Sequence, residues 1–204
     1  MENQILEKLF DSQIKVRLLK LFLRNDSAFF STEDIVSKIH ISARYVRKEV
    51  EKLNDINFFK TKTIKIKIKY GLKKTKVKKA IVYGVNHNFV FYPELKNLVS
   101  KSNPASEDNL KMGIQKIGKV KLVILSGLFI NSESSRIDLV IVGESISQKK
   151  LERFLSNLEA EVGKDIRYVV LTTEEFNYRL SMFDRFLRDV LDYPHKKLIN
   201  KLKI

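Results

Sequence analysis

The spacing of apolar residues predicts two helices at the start of the chain. Over residues 5–23, apolar side chains recur at intervals of three and four, which is typical of a helix with a broad apolar face, and the pattern breaks near Asp11 and Ser12. A second, shorter helix is predicted over residues 32–39. This helix begins after Ser31, and an acidic residue lies three positions beyond Ser31. That combination is the usual signal for a helix start.

A third helix is predicted over residues 43–54, with Ser42 as its N-cap. His40 precedes it at a turn position that usually needs a left-handed backbone, which His adopts more readily than most residues. At 100° per residue, one stripe of this helix is apolar and the opposite side is basic. The apolar stripe is Val46, Val50 and Leu53; the opposite side carries Arg44, Lys48 and Lys52 with Glu51 among them, and Arg47 on its flank.

A β-hairpin is predicted next, because apolar residues and lysines alternate with the period of two that marks a half-buried strand. Residues 71–75 can turn the chain, and a second strand is expected over residues 77–86. The tip and exposed face of this hairpin are nearly all lysine. The apolar positions are Ile64, Ile66, Ile68 and Tyr70 in the first strand, and Ile81, Tyr83 and Val85 in the second.

The second half of the chain alternates helices with apolar strands, which predicts a covered sheet in an α/β or α+β domain. Helices are expected over residues 108–117 and 147–162 and from a cap at Thr173 to residue 191; strands are expected over residues 121–125, 137–142 and 166–171. Residues 193–202 are expected to form a basic, amphipathic tail, in which Pro194 ends the preceding helix. The sequence leaves open whether this tail packs on the first domain or extends its basic surface.

The positive charge is concentrated in the first half. The 204 residues include 39 Lys and Arg against 24 Asp and Glu, a formal net charge of +15. Residues 1–104 hold 22 basic and 10 acidic side chains, and residues 60–79 alone hold ten lysines and no acid. Such a field attracts a polyanion, either nucleic acid or an anionic membrane. A generic solubilising surface is the alternative.

Several classes of protein are excluded by composition. The chain has no cysteine, so we expect neither a disulfide framework nor a thiolate metal site. Its three histidines are scattered without an HxxxH pair, so no metal or other cofactor is expected. No apolar stretch approaches the roughly 18 to 20 residues of a membrane span, and the first residues do not resemble an export signal. We therefore expect a cytoplasmic protein.

A domain boundary is predicted at the polar segment 102–106, where Pro104 disfavours helix at the preceding residue. The expected domains are residues 1–102 and 103–204. The predicted elements follow the order helix, short helix, turn, helix and basic hairpin, and residues 35–46 include the turn. This order resembles the winged helix-turn-helix of bacterial and archaeal transcription regulators. His40 departs from the Gly that is common in that family.

The winged-helix resemblance implies that the third helix enters the major groove and that the hairpin, the wing, touches the DNA backbone or the minor groove. The DNA-binding residues it implies are Ser42, Arg44, Tyr45, Arg47, Lys48, Lys52, Lys65, Lys67, Lys69, Lys73, Lys74 and Lys76. Tyr45 either stacks on a sugar or packs beside Ile41. Two alternatives remain: a protein-docking module, and lysines that guard strand edges against aggregation.

Residues 125–127 and 135–143 resemble the core of the minimal nucleotidyltransferases. In that family a small-residue turn holds the nucleotide phosphates, and an Asp-x-Asp strand with a third carboxylate holds metal ions. Here Ser126 and Gly127 form the turn, Arg136 replaces the first Asp, and only Asp138 remains. Residues 166–171 offer no third carboxylate, and a guanidinium repels Mg²⁺. We expect Arg136 to pair with Glu133 or Asp138, the alternative being a phosphate.

The combined hypothesis is an α+β chain: a winged helix-turn-helix domain followed by a small α/β nucleotidyltransferase-like domain that is catalytically inactive. Its function would be that of a DNA-binding transcriptional regulator and not of an enzyme. The expected partners are double-stranded DNA, a second copy of the chain, and an effector, either a small molecule or a protein, that the sequence does not identify. The alternative is an active, antitoxin-like nucleotidyl- or adenylyltransferase acting on a protein partner.

Overall fold

The computed structural model describes residues 2–70, 74–102, 105–132 and 135–204, except for the side chains of residues 2–4, 67–70 and 74–76. It is a mixed α+β chain. The chain divides into two compact units, one of residues Glu7–Val99 and one of Met1–Leu6 with Ser100–Ile204. We call them the first and second unit.

Helices and a three-stranded sheet make up the first unit. In chain order the elements are α1 (Glu2–Phe10), α2 (Gln13–Arg24), β1 (Phe30–Ser31), α3 (Thr32–Ile39), α4 (Ala43–Asp55), β2 (Phe59–Tyr70), β3 (Lys74–Val85) and α5 (Tyr92–Lys101). The first five residues of α1 and the last two of α5 are assigned to the second unit. The sheet is antiparallel with the order β1-β3-β2. The short strand β1 and helix α5 have no counterpart among the elements predicted from the sequence.

Local signals in the sequence explain where the helices begin and end. The predicted break is present: Asp11 has a φ of 49°, and the Ser12 hydroxyl caps α2 by accepting a hydrogen bond from Lys15 N. Ser31 and Asp34 form a reciprocal capping box at the start of α3. His40 ends α3 in the left-handed region, at φ 54° and ψ 42°. These predictions are confirmed.

Aromatic side chains fill the core of the first unit. The Phe22 ring on α2 lies 4.5 Å from the Phe59 ring on β2 and 5.5 Å from the Phe30 ring on β1, measured between centroids. Val46 and Val50 of α4 are buried in the same cluster, which holds α4 against α2 and the sheet. Burial of this apolar stripe leaves the other side of α4 free.

In the hairpin of β2 and β3, the set of buried residues differs from the one that the sequence predicts. The register pairs Ile64 with Ala80 and Ile81 with Thr63, so the two apolar series lie on opposite faces of the ribbon. Ile64 is 42% exposed and Ile81 is 54% exposed, so the half-buried strand predicted here is wrong at these positions. The reason is coverage, because among the described residues the apolar core of the first unit reaches the hairpin only at Phe59, Tyr83 and Val85.

The second unit contains a four-stranded sheet with helices on both faces. Its elements are α6 (Glu107–Gln115), β4 (Lys119–Leu125), a 3₁₀ turn (Gly127–Ile130), β5 (Leu139–Glu144), α7 (Gln148–Val162), β6 (Tyr168–Leu171), α8 (Thr173–Ser181), α9 (Arg185–Asp192) and β7 (Lys196–Asn200). The strand order is β6-β5-β4-β7. Strands β5 and β6 are parallel, and α7 connects them; the other pairs are antiparallel.

Alternate residues of β4 and β5 face two separate apolar layers. Val123 and Ile141 pack with α6 and α7 on one side, whereas Leu122 and Val140 pack with α8 and α9 on the other. All four side chains are fully buried. The covered sheet expected from the near-continuous apolar strands is therefore confirmed.

The C-terminal segments require two corrections. Residues 196–200 form the edge strand β7, antiparallel to β4, which the sequence did not predict. The cap of α8 is Thr172, whose hydroxyl accepts from Glu175 N, and not Thr173. The apolar stripe that was expected to lie on one helix lies on two helices, α8 and α9, because Phe183 has a φ of 53° and Asp184 caps α9.

Candidate nucleic-acid interface

Helix α4 presents an exposed, mostly basic face. Val46, Val50 and Leu53 are buried, and at 100° per residue the opposite side of the helix is left uncovered. The predicted residues that α4 exposes are Arg44, Tyr45, Arg47, Lys48 and Lys52, with Glu51 exposed among them, and the predicted N-cap Ser42 is exposed as well. Ser42 occupies the cap position, but its side chain makes no capping hydrogen bond. Its hydroxyl is therefore not committed to the helix.

Lys52 belongs to the predicted set but is ion-paired. Its Nζ lies 2.7 Å from Oε1 of Glu49, a residue that is only 8% exposed. The other oxygen of Glu49, Oε2, has no hydrogen-bond partner in the part of the chain that the structure describes. Lys52 thus offsets a nearly buried carboxylate, and its charge is less available to a polyanion than those of Arg47 and Lys48.

Some cations of the first unit are structural. Arg17 donates from Nη1 to Ile39 O at 2.8 Å, and Arg24 donates from Nη2 to Val99 O at 3.1 Å. Burial lowers the pKa of Arg24 to about 10. These two guanidiniums hold α2 to α3 and to α5, so the formal charge of the first half overstates the charge available for binding.

The hairpin adds lysines on both strands. Of the predicted set, Lys65 is exposed; Lys67, Lys69, Lys74 and Lys76 lie in β2 and β3, but their side chains are outside the described part of the chain, as is all of Lys73. The structure adds four exposed lysines that the sequence analysis did not single out. They are Lys60, Lys62, Lys78 and Lys79. The signal that could have identified them is the acid-free lysine run of residues 60–79 itself.

At the base of the hairpin, Phe29 occupies one face. A Cβ on Gly84 would lie 2.7 Å from the Phe29 ring, so only glycine allows this approach. The Lys62 ammonium lies 3.9 Å from the centroid of the same ring, a cation–π contact. Lys62 is therefore held by Phe29, whereas no such contact engages Lys65, Lys78 or Lys79 within the described residues.

Asp138 makes structural contacts with both of its carboxylate oxygens. Both oxygens of Asp138, a residue only 2% exposed, accept hydrogen bonds. The donors are Leu128 N (2.9 Å), Arg167 N (3.0 Å), Arg167 Nε (2.9 Å) and Arg167 Nη2 (2.8 Å). Burial alone would raise the pKa of Asp138, but the hydrogen bonds from Arg167 and Leu128 outweigh burial and lower it.

The small-residue turn is tied to the same carboxylate. Gly127 has a φ of +50°, and a Cβ there would lie 2.2 Å from Asp138 Oδ1, so a larger residue would displace the acid. The Ser126 hydroxyl donates to Ile137 O at 2.7 Å. Both residues of the turn thus support the position of Asp138.

Asp138, one of the two partners expected for Arg136, forms its ion pair with Arg167 instead. The other expected partner, Glu133, lies outside the described residues. Arg136 is exposed and lines a pocket of about 400 Å³ with Arg185, Phe186 and Tyr193 among others. Among the residues that the structure describes, no group of three His, Asp or Glu side chains could hold a metal ion.

Comparison with known proteins identifies no relative: no family model, curated protein or solved structure matches the chain. Within the described ranges, no helix combines the length and the apolar character needed to cross a bilayer.

Proposed function

We propose that the chain is a transcriptional regulator that binds double-stranded DNA. In this proposal residues 1–102 act as a winged helix-turn-helix, α4 enters the major groove and the hairpin contacts phosphates. Several observations support it: α3 and α4 meet at the left-handed His40, α4 exposes Arg44 and Arg47, and the basic hairpin follows directly.

One observation carries the proposal. Two elements separated only by residues 56–58 both expose cations, and residues 60–79 contain no acid that could neutralise those of the hairpin. A B-DNA major groove is about 12 Å wide and admits an α-helix. Guanidiniums on α4 could read base edges there, while the lysines neutralise backbone charge. A strand edge is protected from aggregation by one or two lysines, and ten exceed that need.

The salt dependence of binding tests the proposal. For about six phosphate contacts, the slope of log Kobs against log salt is expected to be about −5, and affinity falls roughly 10³-fold between 50 and 200 mM salt. Mobility shift or fluorescence anisotropy on duplexes enriched from a randomised pool would measure it. Single-stranded DNA and duplex RNA serve as competitors. A slope near zero, or preference for either competitor, would overturn the proposal.

A second copy of the chain is part of this proposal, because two half-sites multiply affinity and specificity. Sedimentation of the complex formed on an enriched duplex is expected to give two chains for each site. The second unit would provide dimerisation, sensing or partner docking. A single chain on each enriched site would contradict the dimer while leaving DNA binding intact.

We further propose that the nucleotidyltransferase-like domain has lost its chemistry. Two-metal catalysis requires several acidic ligands, whereas both oxygens of Asp138 accept hydrogen bonds from Arg167 and the backbone. Incubation with labelled ATP and Mg²⁺ is expected to leave the chain and candidate protein partners unlabelled. Label transfer that disappears in Asp138→Ala but persists in the control Asp192→Ala would establish an enzyme instead.

A further inference from the structure

The pocket that Arg136 lines lies within the second unit, and α9 forms one of its walls. The other wall is residues 135–137, which precede β5, and Tyr193, which follows α9, completes the lining. At 100° per residue, the lining residues of α9 span an arc of about 140°; they are Arg185, Phe186, Asp189 and Val190. Sites for small molecules measure about 300–1,000 Å³, so a pocket of about 400 Å³ suits a small ligand.

The apolar part of the lining is continuous with the core. Val190 is only 5% exposed and belongs to the apolar layer that α8 and α9 form with the sheet. Ile137 and Phe186 are partly buried and pack against the same layer. The core therefore fixes these three side chains, and they offer a preformed apolar surface to a ligand.

Three charged side chains also line the pocket: Arg136, Arg185 and Asp189. Among the residues that the structure describes, none of these three side chains has a hydrogen bond or an ion pair. Arg188 and Asp192, a second pair four positions apart on α9, do form an ion pair, at 4.0 Å, and they do not line the pocket. Two guanidiniums and one carboxylate are therefore available to a ligand.

The two guanidiniums favour a carboxylate as the anionic group of that ligand. Arg136 and Arg185 carry like charges on different walls of one pocket, and an anion between them relieves their repulsion. The fork of donors on a guanidinium matches the two oxygens of a carboxylate. A phosphate monoester is less suitable, because it carries a charge of about −1.5 to −2 at pH 7 and Asp189 repels it.

Asp189 favours a cationic group next to the carboxylate of the ligand. It follows Arg185 by four positions, so the Cβ atoms of the two residues are about 5–6 Å apart on one face of α9. A ligand whose ammonium and carboxylate groups are attached to the same carbon can pair with both side chains. Free α-amino acids have this arrangement, and the side chain on the same carbon can then contact the apolar lining.

We propose that this pocket binds a free α-amino acid with an apolar side chain. The carboxylate of the ligand lies between Arg136 and Arg185, and its ammonium group pairs with Asp189. The apolar side chain of the ligand packs on Phe186 and Val190. Binding requires no DNA, so it is tested on the chain alone.

Calorimetric titration of the full-length chain with L-phenylalanine, L-leucine and L-methionine tests the proposal. At least one of the three is expected to bind saturably with a Kd below about 1 mM. For phenylalanine the matched probes are phenethylamine, which lacks the carboxylate, and 3-phenylpropionate, which lacks the ammonium group; the corresponding amine and acid serve for the other two. Each probe is expected to bind at least about tenfold more weakly, because it loses a hydrogen-bonded charge pair.

Variants of α9 provide a second readout. Asp189→Asn is expected to weaken amino-acid binding at least about tenfold without weakening binding of the ammonium-free acid, whereas Arg185→Gln weakens both. The matched controls are Asp192→Asn and Arg188→Gln, which alter the ion pair of α9 outside the pocket. Each control is expected to change the Kd by less than about twofold.

Several results would overturn the amino-acid site. They are a Kd above about 1 mM for all three amino acids, amine or acid probes that bind as tightly as the amino acid, tighter binding of inorganic phosphate or ATP, and equal losses in the control variants. Since the titrations contain no DNA, such a result would leave the proposed function intact. Absence of duplex binding would likewise leave the pocket and its ligand unaffected.

Discussion

Replacing Arg44 and Arg47 with alanine is expected to weaken binding to an enriched duplex by roughly 10²- to 10⁴-fold, since each guanidinium that reads a base contributes about 1–3 kcal/mol. Both side chains are exposed on α4, Arg44 on the side opposite the buried Val46 and Arg47 on the flank of the helix. Truncation would therefore remove the proposed contacts to DNA and leave the core unchanged. Fluorescence anisotropy at one fixed salt concentration would measure the loss.

A matched variant separates base reading from total charge. Lys149 and Lys150 are exposed near the start of α7, and replacing both with alanine removes the same two charges. We expect that control to bind within about threefold of the unmodified chain, because the proposal assigns the contacts with DNA to α4 and the hairpin, and Lys149 and Lys150 belong to the second unit. If the two double variants weaken binding equally, net charge and not α4 determines affinity, and the proposed role of α4 is wrong.

The second large effect concerns stability. Asp138→Asn is expected to lower the free energy of unfolding by about 3 kcal/mol, because a buried acceptor of four hydrogen bonds loses its charge and one of its oxygens. The NH₂ group of the new asparagine would also face hydrogen-bond donors, from which it cannot accept a hydrogen bond. Urea unfolding monitored by circular dichroism measures the change. The control Asp192→Asn alters an exposed carboxylate 4.0 Å from Arg188 and is expected to cost no more than about 0.5 kcal/mol.

The same variant carries a pH signature. The pKa of Asp138 in the folded chain is lowered, whereas in the unfolded chain it is about 3.9. Its stabilising contribution is therefore complete above about pH 5 and is lost as the pH falls through the folded-state pKa. The stability difference between the unmodified chain and Asp138→Asn should shrink on acidification. Since the lowered pKa values of Asp26 and Glu144 act equally in both proteins, a difference independent of pH would contradict this account.

Local features were predicted well because their causes lie within a few residues. The break before α2, the Ser31–Asp34 capping box and the left-handed His40 each depend on contacts within four positions. The basic face of α4 follows from the same helical periodicity. Sequence reasoning therefore located both elements of the candidate interface, though not every exposed lysine on them.

Features that depend on distant contacts were missed. Asp138 bonds to Arg167, which is 29 positions away, and no local pattern distinguishes that partner from the neighbouring Arg136. Strand β7 forms because the edge of β4 is available for pairing. In the sequence alone, without that partner, the same residues resemble an amphipathic tail. Thr172 and Thr173 are both acceptable caps by residue type, and in the structure Thr172 is the cap.

The amino-acid order alone specified which residues form α4, which side of α4 is basic, and that a lysine-rich hairpin follows. It did so because helical and strand periodicities are properties of the backbone that operate over a few residues. The fold decided how far the core extends along the hairpin and therefore which isoleucines remain exposed. It also set the register that places Ile64 and Ile81 on opposite faces of the hairpin, because strand pairing joins residues that are distant in the chain.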